Sequence, residues 1–262
     1  MSLIAYFDDS NSHKDAPLIL WAGFVGYENQ WALLDETWTT ILENEGIPYF
    51  SWSESLAGRP PFNRFDPSRA WRDHLVFQFR NAILEAGLFG IAAGVPHSHW
   101  RELVSPEDER WINPPGTVCL TLVSLKAVRY AKRKNYSAPI TVYFDGGVEL
   151  PAKRSASAVG NILNKLESRH DNYDFASVKA TPALQAADLF AGELQNDMKA
   201  YLRDGHNRQV SPHMTPWMNR KCDIDFLERS VLAERLASPA FQHVLNDENW
   251  TELEEPRPNQ NK

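Results

Sequence analysis

Apolar residues fall along this chain in two rhythms: short continuous runs bounded by turn residues, and longer stretches where they recur every three or four positions. Leu3 to Asp8 is the first run, ending in Asp8 and Asp9 and passing into Asn11, Ser12 and His13, which predicts a buried strand entering a turn. Leu18 to Gly26 predicts a second strand, close enough in sequence to pair antiparallel with the first. Leu88 to Val95, Pro139 to Phe144 and Tyr173 to Lys179 are the remaining strand candidates. Helical spacing runs over Glu28–Glu43 (Trp31, Leu34, Trp38, Ile41, Leu42) and Ser68–Glu85 (Trp71, Leu75, Phe79, Ile83). It returns over Thr117–Lys134, Lys153–His170, Pro182–Leu202 and Asp225–Leu236, with a short companion near Phe241 to Leu245. Pro182 suits the first position of its helix. Ile47 to Trp52 reads as a short extended piece, Arg59 to Pro67 as a loop, and 97–115 and 203–221 as irregular segments.

The resulting order is two strands, a helical insertion at 28–86, a third strand, then alternating helices and strands. Right-handed crossovers put the later strands parallel to the first, in a mixed α/β sheet with an antiparallel hairpin and helices on both faces. Three early antiparallel strands followed by alternating helices and parallel strands is the order of the ribonuclease H-like fold. No linker or internal repeat divides the chain, so residues 1–246 read as one domain and the Pro/Asn-rich acidic tail, 247–262, is expected to fray.

Charge narrows the function. The 262 residues carry 27 Lys and Arg against 34 Asp and Glu, a formal charge of −7, which disfavours a generic polyanion-coating protein but leaves room for a local basic groove. Cys119 and Cys222 form neither a zinc pattern nor a disulfide framework. No apolar run approaches ~18 residues and the start has no signal-like core, so the expectation is a soluble cytoplasmic protein without membrane partners. No phosphate-binding glycine loop, dinucleotide fingerprint or nucleophile elbow occurs.

Three acidic positions interrupt or end apolar segments: Asp8 with Asp9, Asp145 after the strand ITVYF, and Asp188 inside the small-residue helix ALQAADLFAG. Strand side chains alternate, so only one of Asp8 and Asp9 can share a face with Asp145. Ala and Gly around Asp188 permit close packing on a sheet, where an acid is costly unless paired or metal-bound. Taken singly, each acid has a plain structural role: a turn, an Asp-Gly-Gly corner, an ion pair. Taken together, three converging carboxylates would raise one another's pKa values, and Mg²⁺ or Mn²⁺, which prefer oxygen ligands, would relieve that cost and support phosphodiester cleavage.

IAYFDDSNS, ITVYFDGG and ALQAADLFAGEL resemble, in order and spacing, the three acidic blocks of the domain-of-unknown-function family numbered 3800. That family is grouped with ribonuclease H-like proteins. The resemblance implies that fold and metal-dependent nuclease chemistry, with Asp8, Asp145 and Asp188 as ligands, Asp9 at the family's usual Glu, and Gln185 orienting its neighbours. The chain departs from the pattern at Asn11, where the family has Gly, and in the helix CLTLVSLKAVRYAK, which lacks an expected acid. Glu54 or Glu193 are the candidate substitutes.

Weaker signals remain. Lys126, Arg129, Lys132, Arg133 and Lys134, with Lys153 and Arg154, form the densest basic region, either a phosphate track beside the acids or a solvated helix end. His97 and His99 have a spacing compatible with zinc in an extended segment, and His13 follows the first acids. Trp52, Trp111 and Trp217 lie in loop-like stretches and are the candidates for touching a base. The expectation is a nuclease or phosphodiesterase acting on DNA, RNA or a small phosphate ester, with Asp9 or Glu54 supplying a further ligand or base. The alternative is a non-catalytic interaction protein that keeps the fold and a relic acidic pocket.

Overall fold

A computed structural model describes residues 2–10, 16–64, 69–105, 115–146, 160–161, 164, 171–205, 214–219 and 222–237. Its centre is a six-stranded sheet formed by β1 (Leu3–Ser10), β2 (Leu18–Tyr27), β3 (Phe89–Pro96), β4 (Thr141–Asp145), β5 (Asn172–Ala176) and β6 (Cys222–Phe226). The strands lie in the order β5-β4-β1-β2-β3-β6. β1, β2 and β3 pair antiparallel in sequence, whereas β4 runs parallel to β1, β5 to β4 and β6 to β3. This is the ribonuclease H-like arrangement that the order of elements predicts, with β6 added at the far edge.

The insertion between β2 and β3 folds as α1 (Glu28–Glu45), the short α2 (Trp52–Leu56) and α3 (Arg69–Ala86). α4 (His97–Leu103) and α5 (Pro115–Arg133) follow β3; α6 (Pro182–Asp204), α7 (Thr215–Met218) and α8 (Arg229–Ala237) complete the described helices. Alternation along the strands splits the core in two. Leu3, Ala5, Phe7, Trp21, Ile91, Ala93, Val142 and Phe144 pack with α5, Trp100 of α4 and Leu232 of α8. Leu18, Leu20, Ala22, Phe24 and Ala92 pack on the other side with α1, α3, α6 and Trp217. Helices thus cover both faces. Gln30 fastens the insertion, accepting the Tyr27 N–H at 2.9 Å and donating to the Ala86 and Gly87 carbonyls at 3.1 and 2.7 Å.

Three boundaries differ from the sequence reading. Cys222–Phe226 is an edge strand, and the helix read from Asp225 begins at Arg229. The alternation CDIDF is too short and too acidic to announce a strand; two of its acids are matched by Lys126, described below. His97–Leu103 is helical because it follows Pro96 and buries Trp100. The strand expected over Tyr173–Lys179 stops at Ala176, and Val178–Ala180 turns into one 3-10 turn. The expected helix over 153–170 is described only at 160–161 and 164, which are helical; the 241–245 segment, the 247–262 tail, and Asn11, His13, Trp111, Lys153 and Arg154 lie outside the described residues.

Gly23 is required where β2 crosses β1, because a Cβ there would collide with the backbone carbonyl of Tyr6. Gly23→Ala is expected to destabilise the protein by about 3 kcal/mol, the upper part of the overpacking range, read as a lower urea midpoint with unchanged m.

Candidate functional site

β1 delivers its two acids to opposite faces. Asp9 pairs in register with Trp21, which packs on the α5 side, whereas Asp8 pairs with Ala22, on the α6 side. In the parallel pair β1–β4 the last registered couple is Phe7 and Phe144, so Asp8 and Asp145 stand one step further on, side by side. Tyr6 and Tyr143, two residues earlier on each strand, stack at 5.0 Å between ring centroids and mark the face that both acids share. Asp8 is therefore the acid that joins Asp145.

α6 brings the third. It packs across β1 and β2, and Ala183, Ala186, Ala187, Ala191 and Gly192 keep its buried side shallow. Asp188 accepts the Trp52 N–H at 2.7 Å, so the start of α2 caps the carboxylate from the insertion side. Gly192 makes room for that arrangement, since a Cβ there would run into the Trp52 indole. Asp145 accepts the Val178 N–H at 3.2 Å, which ties the end of β4 to the 3-10 turn before α6.

The electrostatics record how close these acids are. Burial pushes the Asp8 carboxyl well above the ordinary carboxylate range; the charges of Asp188, Asp9 and Asp145 push the same way, and the Asp9 N–H at 2.9 Å offsets them only in part. Asp188 is pushed up to about 7, first by burial, with the charges of Asp145 and Glu54 adding to it against the Trp52 N–H and the Ser51 hydroxyl. Among the described residues no Lys or Arg forms an ion pair with Asp8, Asp145 or Asp188.

Glu54 sits at the rim. Burial raises its carboxyl, but the Tyr49 hydroxyl at 2.7 Å and the Lys179 ammonium at 3.0 Å outweigh burial and hold it below the usual range. Gln185, 1% exposed, accepts from the Trp38 indole at 2.9 Å and the Phe50 N–H at 2.8 Å and donates to the Lys179 carbonyl at 3.3 Å. It orients its neighbours, as the sequence motif implies, by joining α1, the 47–51 segment and the 3-10 turn to α6. No motif or spacing marks Ser51, Trp52 or Lys179 as partners of the acids. The only cue for Lys179 is a lone cation in the connection that leads into the acid-bearing helix.

Other candidates belong elsewhere. Glu193 is a buried partner of Arg80 and accepts the Trp217 indole N–H at 2.6 Å, so neither Glu193 nor Trp217 is free for a substrate. Lys126 is 5% exposed and pairs with Asp223 and, at 3.2 Å, with Asp225 on β6; Arg133 lies 3.6 Å from Asp223. α5 covers the face opposite Asp8, so its basic end does not run beside the acids. His97 and His99 lie on a helix, where two residues apart means opposed directions, and His99 meets the Leu227 carbonyl at 3.5 Å.

The donor set suits a hard divalent cation: carboxylate oxygens, no ammonium paired with them among the described residues, and mutual repulsion that a cation would relieve. Among the described residues, however, no group of three or more His, Cys, Asp or Glu side chains is gathered tightly enough to hold a metal ion, and like charges oppose a closer approach. No helix among the described residues is long and apolar enough to cross a membrane.

No family model and no curated protein matches the chain. Among solved structures it is similar to one of the PCNA:RNase HII complex from Archaeoglobus fulgidus, at 13% identity over 83% of this chain and 87% of that one, with a TM-score of 0.39. It is also similar to ribonuclease H2 from Pyrococcus horikoshii OT3, at 12% identity over 95% and 99%, with a TM-score of 0.36. Likeness at that level carries no argument about activity, and the fold is assigned from strand order and direction.

Two outcomes are expected. With divalent ions chelated, stability should fall as pH rises. Asp188 in the folded state binds its proton up to about 7, above its unfolded value of 3.8, so its contribution is complete below the lower value and lost on passing the upper. Urea midpoints at pH 5 and pH 8 read this, and Asp188→Asn should flatten the difference. Gln185→Leu leaves the Trp38 and Phe50 donors buried without an acceptor and should cost about 2 kcal/mol or more in the same assay.

Proposed function

We propose that this chain is a divalent-metal-dependent nuclease of the ribonuclease H-like type, with Asp8, Asp145 and Asp188 as the metal ligands and Glu54 at the rim of the site. The observation that carries this reading is the convergence of three carboxylates from β1, β4 and α6 on one sheet face with no cationic partner among the described residues. The resemblance of the three acidic blocks to the family numbered 3800 supports it.

Bound Mg²⁺ or Mn²⁺ would supply Lewis-acid stabilisation of charge on a phosphoryl group. The chain's own residues do the positioning. The Asp9 N–H holds one oxygen of Asp8, and the Trp52 N–H and the Ser51 hydroxyl hold Asp188. The Val178 N–H holds Asp145 in the same way. Gln185 fixes the backbone around Asp188 and Lys179, so the constellation rests on rigid elements rather than on loop ends.

One observation favours a second reading, a non-catalytic interaction protein with a relic acidic pocket: the described acids are not drawn together into a metal-holding group. Thermal melting under Mn²⁺ and Mg²⁺ separates the two. For the nuclease, metal at ~100-fold above its Kd should stabilise the wild type by ~2.7 kcal/mol, and Asp145→Asn and Asp188→Asn should abolish the shift. The same variants should lose on the order of 100-fold or more of the cleavage of single- or double-stranded oligonucleotides. A wild type with no melting shift and no cleavage belongs to the second reading.

A further inference from the structure

We infer that Lys179 is the cation that receives the substrate's phosphate, and that Glu54 and Tyr49 hold it in reserve until substrate arrives. The inference rests on the nuclease reading and deepens it by naming the residue that recognises a phosphodiester backbone.

An acidic site in a protein of net charge −7 repels the polyanion it is proposed to cut. The metal ligands have no cationic partner among the described residues, and the basic end of α5 lies on the other face. Lys179 is placed differently. It occupies the middle of the 3-10 turn Val178–Ala180, which is fixed at both sides by the site itself. The Val178 N–H donates to Asp145 at 3.2 Å, and the Lys179 carbonyl accepts from Gln185, one helical turn before Asp188. The backbone of Lys179 is thus bracketed between two of the three proposed ligands.

Its side chain is not fixed in the same way. Lys179 is 54% exposed, with its ammonium 3.0 Å from Glu54, 2.9 Å from the Tyr49 hydroxyl and 4.5 Å from the Tyr49 ring centroid. An exposed ion pair of this kind contributes little to stability, so one anion can exchange for another at small cost. Glu54 itself lies close enough to Asp188 to raise that carboxyl. Glu54 lies two residues beyond Trp52, whose N–H binds Asp188, so releasing Lys179 from Glu54 frees a cation beside the short helix that caps this acid. Exposed Arg59 also acts on Glu54, so the rim on this side carries positive charge while the floor is negative. Such a division suits a ligand whose phosphates lie along the rim and whose scissile group faces the floor.

The test is fluorescence anisotropy with short fluorescein-labelled single-stranded DNA and RNA of mixed sequence. Ca²⁺ replaces Mg²⁺, and wild type, Lys179→Gln, Lys179→Arg and Glu54→Gln are compared across a salt series. Lys179→Gln should weaken DNA and RNA alike and reduce the slope of log affinity against log salt by roughly 0.7, the value for one phosphate contact on a single strand. Lys179→Arg should keep the wild-type slope. Glu54→Gln, by freeing the ammonium, should bind more tightly than wild type. Opposite signs for two partners of one ion pair are not produced by a merely structural pair. An unchanged slope in Lys179→Gln, or weaker binding by Glu54→Gln, overturns the assignment. If wild type then still cleaves with Mn²⁺ and Asp145→Asn does not, the nuclease reading survives that failure. A wild type that neither binds nor cleaves overturns both.

Discussion

A helix can press an acid against the middle of a sheet only if the residues around that acid take up almost no space. α6 meets this condition: Ala183, Ala186, Ala187, Ala191 and Gly192 are buried around Asp188, and the bulk needed to fill the core comes from Leu184, Leu189 and Phe190. The close approach lets Asp188 act on Asp8 across the interface. It also lets Gln185 reach the Trp38 indole and the Phe50 backbone. Everything on this side of the sheet, from the seating of α1 to the placing of α2, follows from that shallow surface.

Two buried acids on the same helix show how differently such charges are handled. Glu193, 5% exposed, has Arg80 and the Trp217 indole and so is electrically and geometrically satisfied. A buried pair of this kind gives little net stability but is costly to break. Asp188, five residues earlier, has among the described residues only an N–H and a hydroxyl, with further carboxylates beside it. The first arrangement holds a fold together. The second stores an unfavourable interaction at one spot, which is the pattern expected where local stability is given up for chemistry.

Much of this was legible in the residues. The continuous apolar runs mark β2 and β3 because those strands are buried on both faces, and β1 and β4 because one face is buried and the other half-covered; the helical period of α1 is clean because it presents one stripe to the core, whereas α5 and α6 are buried nearly all round. Asp8, Asp145 and Asp188 stand out for the same reason: they are acids in apolar surroundings. What could not be read is what long-range pairing decides. The choice between Asp8 and Asp9 needs the register with Ala22 and Trp21. β6 needs Lys126 on a distant helix to neutralise its acids. Trp52 contributes a backbone N–H, which every residue but proline has and which therefore leaves no mark in a sequence.

That N–H comes from the segment between β2 and β3, the place where a minimal sheet of this type would carry a plain hairpin. The segment lends Asp188 its hydrogen bond and Glu54 to the rim, and through Phe50 and Trp38 it receives the two contacts that seat it on Gln185. It is therefore not an ornament that could be trimmed or exchanged between relatives. A shortened descendant would keep all six strands and all three acids, yet would leave Asp188 without its donor. Divergence in this lineage should accordingly be read in the insertion and α6 together, with changes near residues 49–54 answered by changes near 179–192.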